Sequence, residues 1–127
     1  MKTLHFLLIF TTFFAFARCT PTDNYAVIPS QGSVCATAKH HANLVPEVDM
    51  YLKYNTDVFL GWDYKKYDKH LQADTLAHTC FDSLPVGTHC IMVLGYDRAF
   101  GADIYGYKLV KIAKIADKQT IDILVSE

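Results

Sequence analysis

The sequence predicts an α+β fold, an N-terminal helix followed by an antiparallel sheet in one disulfide-stapled domain, and three observations carry that expectation. Ser33 stands where a helix cap would, ahead of a body that begins near Ala36 and sets Ala38, Ala42 and Val45 on one helical side. Residues 89–95 alternate as His89/Ile91/Val93 and Cys90/Met92/Leu94, two largely apolar sets that suit a strand covered on both faces. Four cysteines, an even number, suit two disulfides in a secreted chain.

At the start of the chain, residues 4–17 carry only His5, Thr11 and Thr12 as polar side chains, follow Lys2, and end in Ala15-Phe16-Ala17. A short apolar run ending small-x-small reads as a cleaved signal peptide, residues 1–17. It is too short for a bilayer span of about 20 residues. Arg18 before Cys19 argues against a lipoprotein anchor. The expected mature chain is then a single secreted domain, residues 18–127, with no membrane attachment. Without Lys2 it carries 11 basic and 13 acidic side chains. That balance excludes a basic nucleic-acid-binding tail and an acidic disordered segment.

The entry segment 20–33 is rich in Pro, Asp, Asn, Ser and Gly, and so reads as extended or turning. The helix expected from Ala36 meets Pro46 and resumes through Glu47 to Leu52, kinked or split. Val58-Phe59-Leu60, closed by Gly61, is a short β-like run; the polar, aromatic stretch 64–78 is loop or a short helix, anchored by Leu71 and Leu76. The strand at 89–95 should be central. Residues 104–116 fit a strand better than a helix with a Lys108/Lys111/Lys114 stripe, and Ala116-Asp117-Lys118-Gln119 reads as a turn making a hairpin with 120–125. Cys19, Cys35, Cys80 and Cys90 allow three pairings; the short closures Cys19–Cys35 and Cys80–Cys90 are favoured, and no metal-site spacing or Cys-x-x-Cys pair occurs. No cofactor and no metal are expected.

Residues 89–96 followed by Tyr107-Lys108-Leu109-Val110-Lys111, with Gln31-Gly32-Ser33-Val34-Cys35 upstream, resemble papain-like cysteine peptidases. That resemblance implies a Cys35 nucleophile activated by His89. Ile112 stands where the family has its orienting asparagine. A helix before an antiparallel sheet, in a stapled secreted chain of this size, resembles the fungal guanyl-specific ribonucleases. For phosphodiester transfer, Glu47 or His78 could act as base, His89 as acid and Arg98 as phosphate cation, although no histidine follows Arg98 as that family requires.

In size, leader, aromatic content and incomplete catalytic set, the chain is similar to the secreted effectors of filamentous plant pathogens built on a ribonuclease-like scaffold. This resemblance implies a non-catalytic protein that binds a host or extracellular protein, with nucleic acid as a second partner class. Trp62, Tyr64, Lys65, Lys66 and Lys69 are the expected contact residues, because aromatic side chains interleaved with lysines suit both partner classes. Binding is preferred to catalysis because neither enzyme resemblance supplies a complete residue set.

Overall fold

The structure is a computed structural model that describes residues 31–127. The signal-peptide expectation, the entry segment before Gln31 and Cys19 lie outside the described residues.

Eight strands follow one another: β1 (Gly32–His40), β2 (Asn43–Leu44), β3 (Asp49–Lys53), β4 (Lys69–Gln72), β5 (His78–Leu84), β6 (Gly87–Asp97), β7 (Ala102–Ile112) and β8 (Lys118–Leu124). The helical content among the described residues is a 3-10 turn at Tyr64–Lys66. The first sheet has the order β2-β1-β5, with β8 parallel to β1 on its other side; the second has the order β4-β3-β6-β7 and is antiparallel throughout.

The expected α+β class is therefore corrected to all-β, and with it go the ribonuclease-like scaffold and the resemblance to the effectors built on it. The segment read as an N-terminal helix is β1. Along it Val34, Ala36, Ala38 and His40 are buried while Cys35, Thr37 and Lys39 are partly exposed, the period of two that a one-face-buried strand requires. Alanine's helix preference is worth only tenths of a kcal/mol over its neighbours. Pairing with β5 on one side and β8 on the other, together with burial of a whole face, outweighs it. The resumed helix after Pro46 is likewise β3, where Met50 and Leu52 are buried.

The two sheets face each other across one core. Val34, Ala36, Ala38, Phe81, Leu84 and Ile123 come from the first sheet and meet Met50, Leu52, Ile91, Val93, Ile104 and Ile112 from the second. β6 lies between β3 and β7, the interior position expected for 89–95. The expected hairpin is corrected in its pairing. β7 and β8 are both strands, but β8 leaves the second sheet and pairs with β1; Tyr105 and Ser126 form a bridge where the sheets touch. At this contact Gly106 lies against the Leu124 carbonyl and Val125, so any Cβ there would overlap the neighbouring backbone.

The disulfide pairing is also corrected. Cys35 and Cys80 are directly opposite in the β1–β5 ladder and are bonded, 45 residues apart in sequence. Cys90 is a buried free thiol on β6, in the other sheet, and so cannot meet Cys80.

Turns are closed by carboxylates. The Asp97 side chain accepts a hydrogen bond from buried His40 at 2.8 Å and others from the backbone N–H groups of Ala99 and Phe100, closing the β6–β7 turn. Asp74 accepts from the N–H groups of Leu76 and His78, and Asp117 from that of Ala113. The His40 ring, the His78 N–H and the Ala113 N–H respectively are the main causes holding these three acids below the usual carboxylate range. A carboxyl depressed in the folded state contributes stability that is complete above its unfolded value, about 3.9, and is lost as pH falls through the lower folded value. The thermal midpoint should thus fall with acidification below about pH 4, and Asp97→Asn should flatten that limb. Parallel acid limbs for the wild type and the variant would contradict the assignment.

Candidate functional site

The outward face of the second sheet is the chemically distinctive surface. On β6 the inward side chains include His89, Ile91 and Val93, so alternation sends Cys90, Met92 and Leu94 outward. On β7 it sends Tyr105, Tyr107 and Leu109 outward, all exposed. The register sets His70, Tyr51, Met92 and Tyr107 side by side across the four strands.

Cys90 and Met92 are nevertheless fully buried: the segment between β3 and β4 brings Tyr67 against Cys90 and stacks Phe59 on Tyr107, the β7 neighbour of Met92. That segment corrects the β-like reading of 57–62: it is a loop, tied down at several points. The Thr56 N–H bonds the Thr88 carbonyl, the Asp68 N–H bonds the Leu52 carbonyl, and the Asp68 carboxylate accepts from Tyr54 N–H and Lys53 Nζ. Asp63 caps the 3-10 turn through the Lys65 N–H, and the Tyr67 hydroxyl donates to the Gly61 carbonyl at 2.9 Å. Burial first, then the adjacent Cys90 thiol, hold the Tyr67 phenol well above its ordinary value. Burial likewise pushes the Cys90 thiol up, so it is neither a ready nucleophile nor a ready ligand.

Where this loop meets β7, aromatic rings cluster in the open. Phe59 stacks on Tyr107 with ring centroids 4.0 Å apart and 9° between planes; Trp62 meets Phe59 edge-on at 4.5 Å and Tyr105 at 4.8 Å. Trp62 is 43% and Tyr107 46% exposed, so the cluster is held by the protein and still open to solvent. A second group adjoins β3 and β4: His70 stacks on Tyr51 at 4.7 Å while its Nε2 lies 2.7 Å from Asp49, and Tyr64 approaches Tyr51 at 5.7 Å. Burial, then the nearby Asp49 charge, hold the Tyr51 phenol up.

Of the expected contact residues, Trp62, Tyr64, Lys65 and Lys66 lie on this covering loop and are exposed. Lys69 lies on β4 opposite Leu52, and alternation places its side chain on the other side from His70. Among the described residues Lys65, Lys66 and Lys69 make no ion pair. Phe59, Tyr105 and Tyr107 were missed by sequence reasoning, since their membership depends on β7 lying beside β6.

The expected catalytic residues do not converge. Cys35 is consumed in the disulfide on the first sheet. Glu47 and Arg98 do meet, 3.6 Å apart at an open cavity of about 250 Å³ lined by Leu44, Pro46 and Tyr96, but both are exposed. His89 is fully buried elsewhere, edge-on to Tyr54, with both ring nitrogens engaged. Nδ1 accepts the Asn55 N–H at 3.1 Å, so the ring proton resides on Nε2, which donates to the Pro85 carbonyl at 2.8 Å. This is a structural histidine bridging two loop backbones. His89→Ala should strand both buried backbone groups and lower unfolding stability by about 2–3 kcal/mol, measured by urea titration; an unchanged midpoint would return His89 to the list of functional groups.

One cluster of metal-capable donors forms among the described residues: Cys35, His78 and Cys80, with donor atoms within 4.8 Å of one another and all partly buried. No sequence spacing announces it, because the register of β1 against β5 creates it.

No known protein family and no curated protein matches the chain. Among solved structures it is similar to BcpA, the major pilin subunit of Bacillus cereus, with 18% identity and a TM-score of 0.48 over 75% of this chain. The chain spans 30% of that pilin's length.

Proposed function

We propose that the protein is an extracellular binding module that recognises a host or extracellular protein through the aromatic outer face of its second sheet, without catalysis of its own. The observation that carries this reading is the Phe59–Trp62–Tyr107 cluster, with Trp62, Tyr107 and the adjoining Tyr105 exposed. Interfaces concentrate their energy in tryptophan and tyrosine anchors surrounded by a polar rim. The covering loop carries exposed Asp57, Asp63, Lys65 and Lys66, and β7 carries exposed Asp103 and Lys111, so the neighbouring charge is of mixed sign. Nucleic-acid sites instead gather positive charge along a track. Secretion is supported by the leader-like residues 1–17, and a disulfide suits an oxidising compartment.

Trp62 is the chain's single tryptophan, so its emission reports on this surface. Cross-linked partners from extracellular fluid, once identified and purified, should shift that emission. Trp62→Ala or Tyr107→Ala should weaken their binding at least about tenfold, the loss typical of a hot-spot aromatic. Lys65→Glu with Lys66→Glu should act a few-fold, through association rate and salt dependence. Binding that survives the Trp62→Ala/Tyr107→Ala pair would place the surface elsewhere. Quenching by single-stranded oligonucleotides would favour a nucleic-acid partner, and degradation of RNA or casein would contradict the absence of catalysis.

A further inference from the structure

We propose that the Cys35–Cys80 disulfide masks a metal site: once reduced, the two sulfurs and His78 Nε2 form a three-donor centre for zinc-type divalent ions. The site lies on the outward face of the first sheet and is independent of the binding surface on the second.

The backbone supplies the geometry. Cys35 and Cys80 are directly opposed on antiparallel strands with Cα atoms 3.9 Å apart, so their side chains emerge on one face. His78 precedes Cys80 by two residues and shares that face. Its Nε2 already lies 3.9 Å from the Cys80 sulfur. Tetrahedral zinc, with Zn–S near 2.3 Å and Zn–N near 2.0–2.1 Å, sets its sulfurs about 3.8 Å apart and its sulfur and nitrogen about 3.6 Å apart. Breaking the sulfur–sulfur bond and rotating the two cysteine side chains apart reaches the first distance, and a small ring adjustment reaches the second. Three protein donors leave a fourth position for water or a ligand. Soft thiolates with an imidazole select zinc over calcium or magnesium.

The scaffold does not depend on the bond. The core lies on the opposite face of β1 and β5, through Val34, Ala36, Ala38 and Phe81, and β1 remains paired with β8 over seven residues. The three donors are partly exposed, so reductant and ion can reach them. In the reductive step a dithiol is oxidised to its own disulfide; its two electrons break the Cys35–Cys80 bond and each sulfur receives one proton. In the binding step the ion replaces both thiol protons, which pass to solvent.

The test uses the full chain, reduced by a phosphine that is then removed anaerobically, with Co2+ as spectroscopic probe and Zn2+ for stability. The reduced protein should keep its β-type circular dichroism and take up one Co2+ with a thiolate-to-cobalt charge-transfer band. The oxidised protein should show no band. Cys35→Ser and Cys80→Ser should each abolish it, and His78→Ala, which leaves every thiol in place, should weaken Co2+ binding at least tenfold. Zn2+ should raise the thermal midpoint of the reduced protein alone. Loss of the β spectrum on reduction, absence of the band, or a band that persists in Cys35→Ser and so belongs to Cys19 or Cys90 would each overturn the proposal.

Discussion

Phe81→Ala should cost about 3–5 kcal/mol of folding stability, as for other fully buried aromatic side chains cut to alanine. Phe81 is the largest fully buried side chain among the described residues and sits on β5 opposite Val34, at the centre of the contact between the sheets. The cost depends on whether neighbours can collapse into the space. Here β5 is held to β1 by a covalent bond at the adjacent residue, Cys80, which hinders the strand from moving inward to fill the gap. Set against the total stability of about 5–15 kcal/mol usual for a domain, a loss of that size leaves a marginal fold. Denaturant titration of the oxidised variant should therefore show a midpoint far below that of Leu124→Ala, whose parent side chain is 73% exposed. Similar losses for the two substitutions would mean that the sheets do not pack as described.

What the sequence revealed of this core follows from how each strand is covered. β6 could be read because from His89 to Val93 both of its faces are buried, so its apolar run stands out from any register. β1 could not. Its inward residues are small and include His40, whose ring is accommodated by Asp97 from a distant turn, so the alternation is muted and alanine suggests a helix. β8 was found as a strand but given the wrong neighbour, since the turn at 116–119 says only that the chain reverses and not which sheet receives it.

The candidate surface was half readable for the same reason. Trp62 to Lys66 lie in one local segment whose composition is unusual. Phe59 finds Tyr107, and Trp62 finds Tyr105, only through the Met92–Tyr107 register. His89 drew attention as a histidine opening an apolar strand, and its use is structural because Asn55 and Pro85, from different loops, satisfy both ring nitrogens. The disulfide depended on the same non-local information: loop length favoured short closures, whereas strand register joined residues 45 apart.

That separation gives the second large effect. Replacing Cys35 and Cys80 together by serine releases a closed loop whose entropy in the unfolded chain corresponds to about 4 kcal/mol. For a domain of about this size that is a fall of roughly 20 °C in the thermal midpoint. The native state should change little, because the cysteines occupy the outward face and the β1–β8 pairing and buried core remain. The variant should thus keep its β-type spectrum and its Trp62 emission while melting much earlier, and the reduced, metal-free wild type should melt at nearly the same temperature. Cys90→Ser tests the contrast. Its thiol closes no loop, so its loss has no such entropic term and is confined to putting a hydroxyl in a buried site beside Tyr67. A shift of under about 5 °C in the double variant would mean that β1 and β5 stay associated in the unfolded chain without the bond, and that the staple adds little to what strand pairing already supplies.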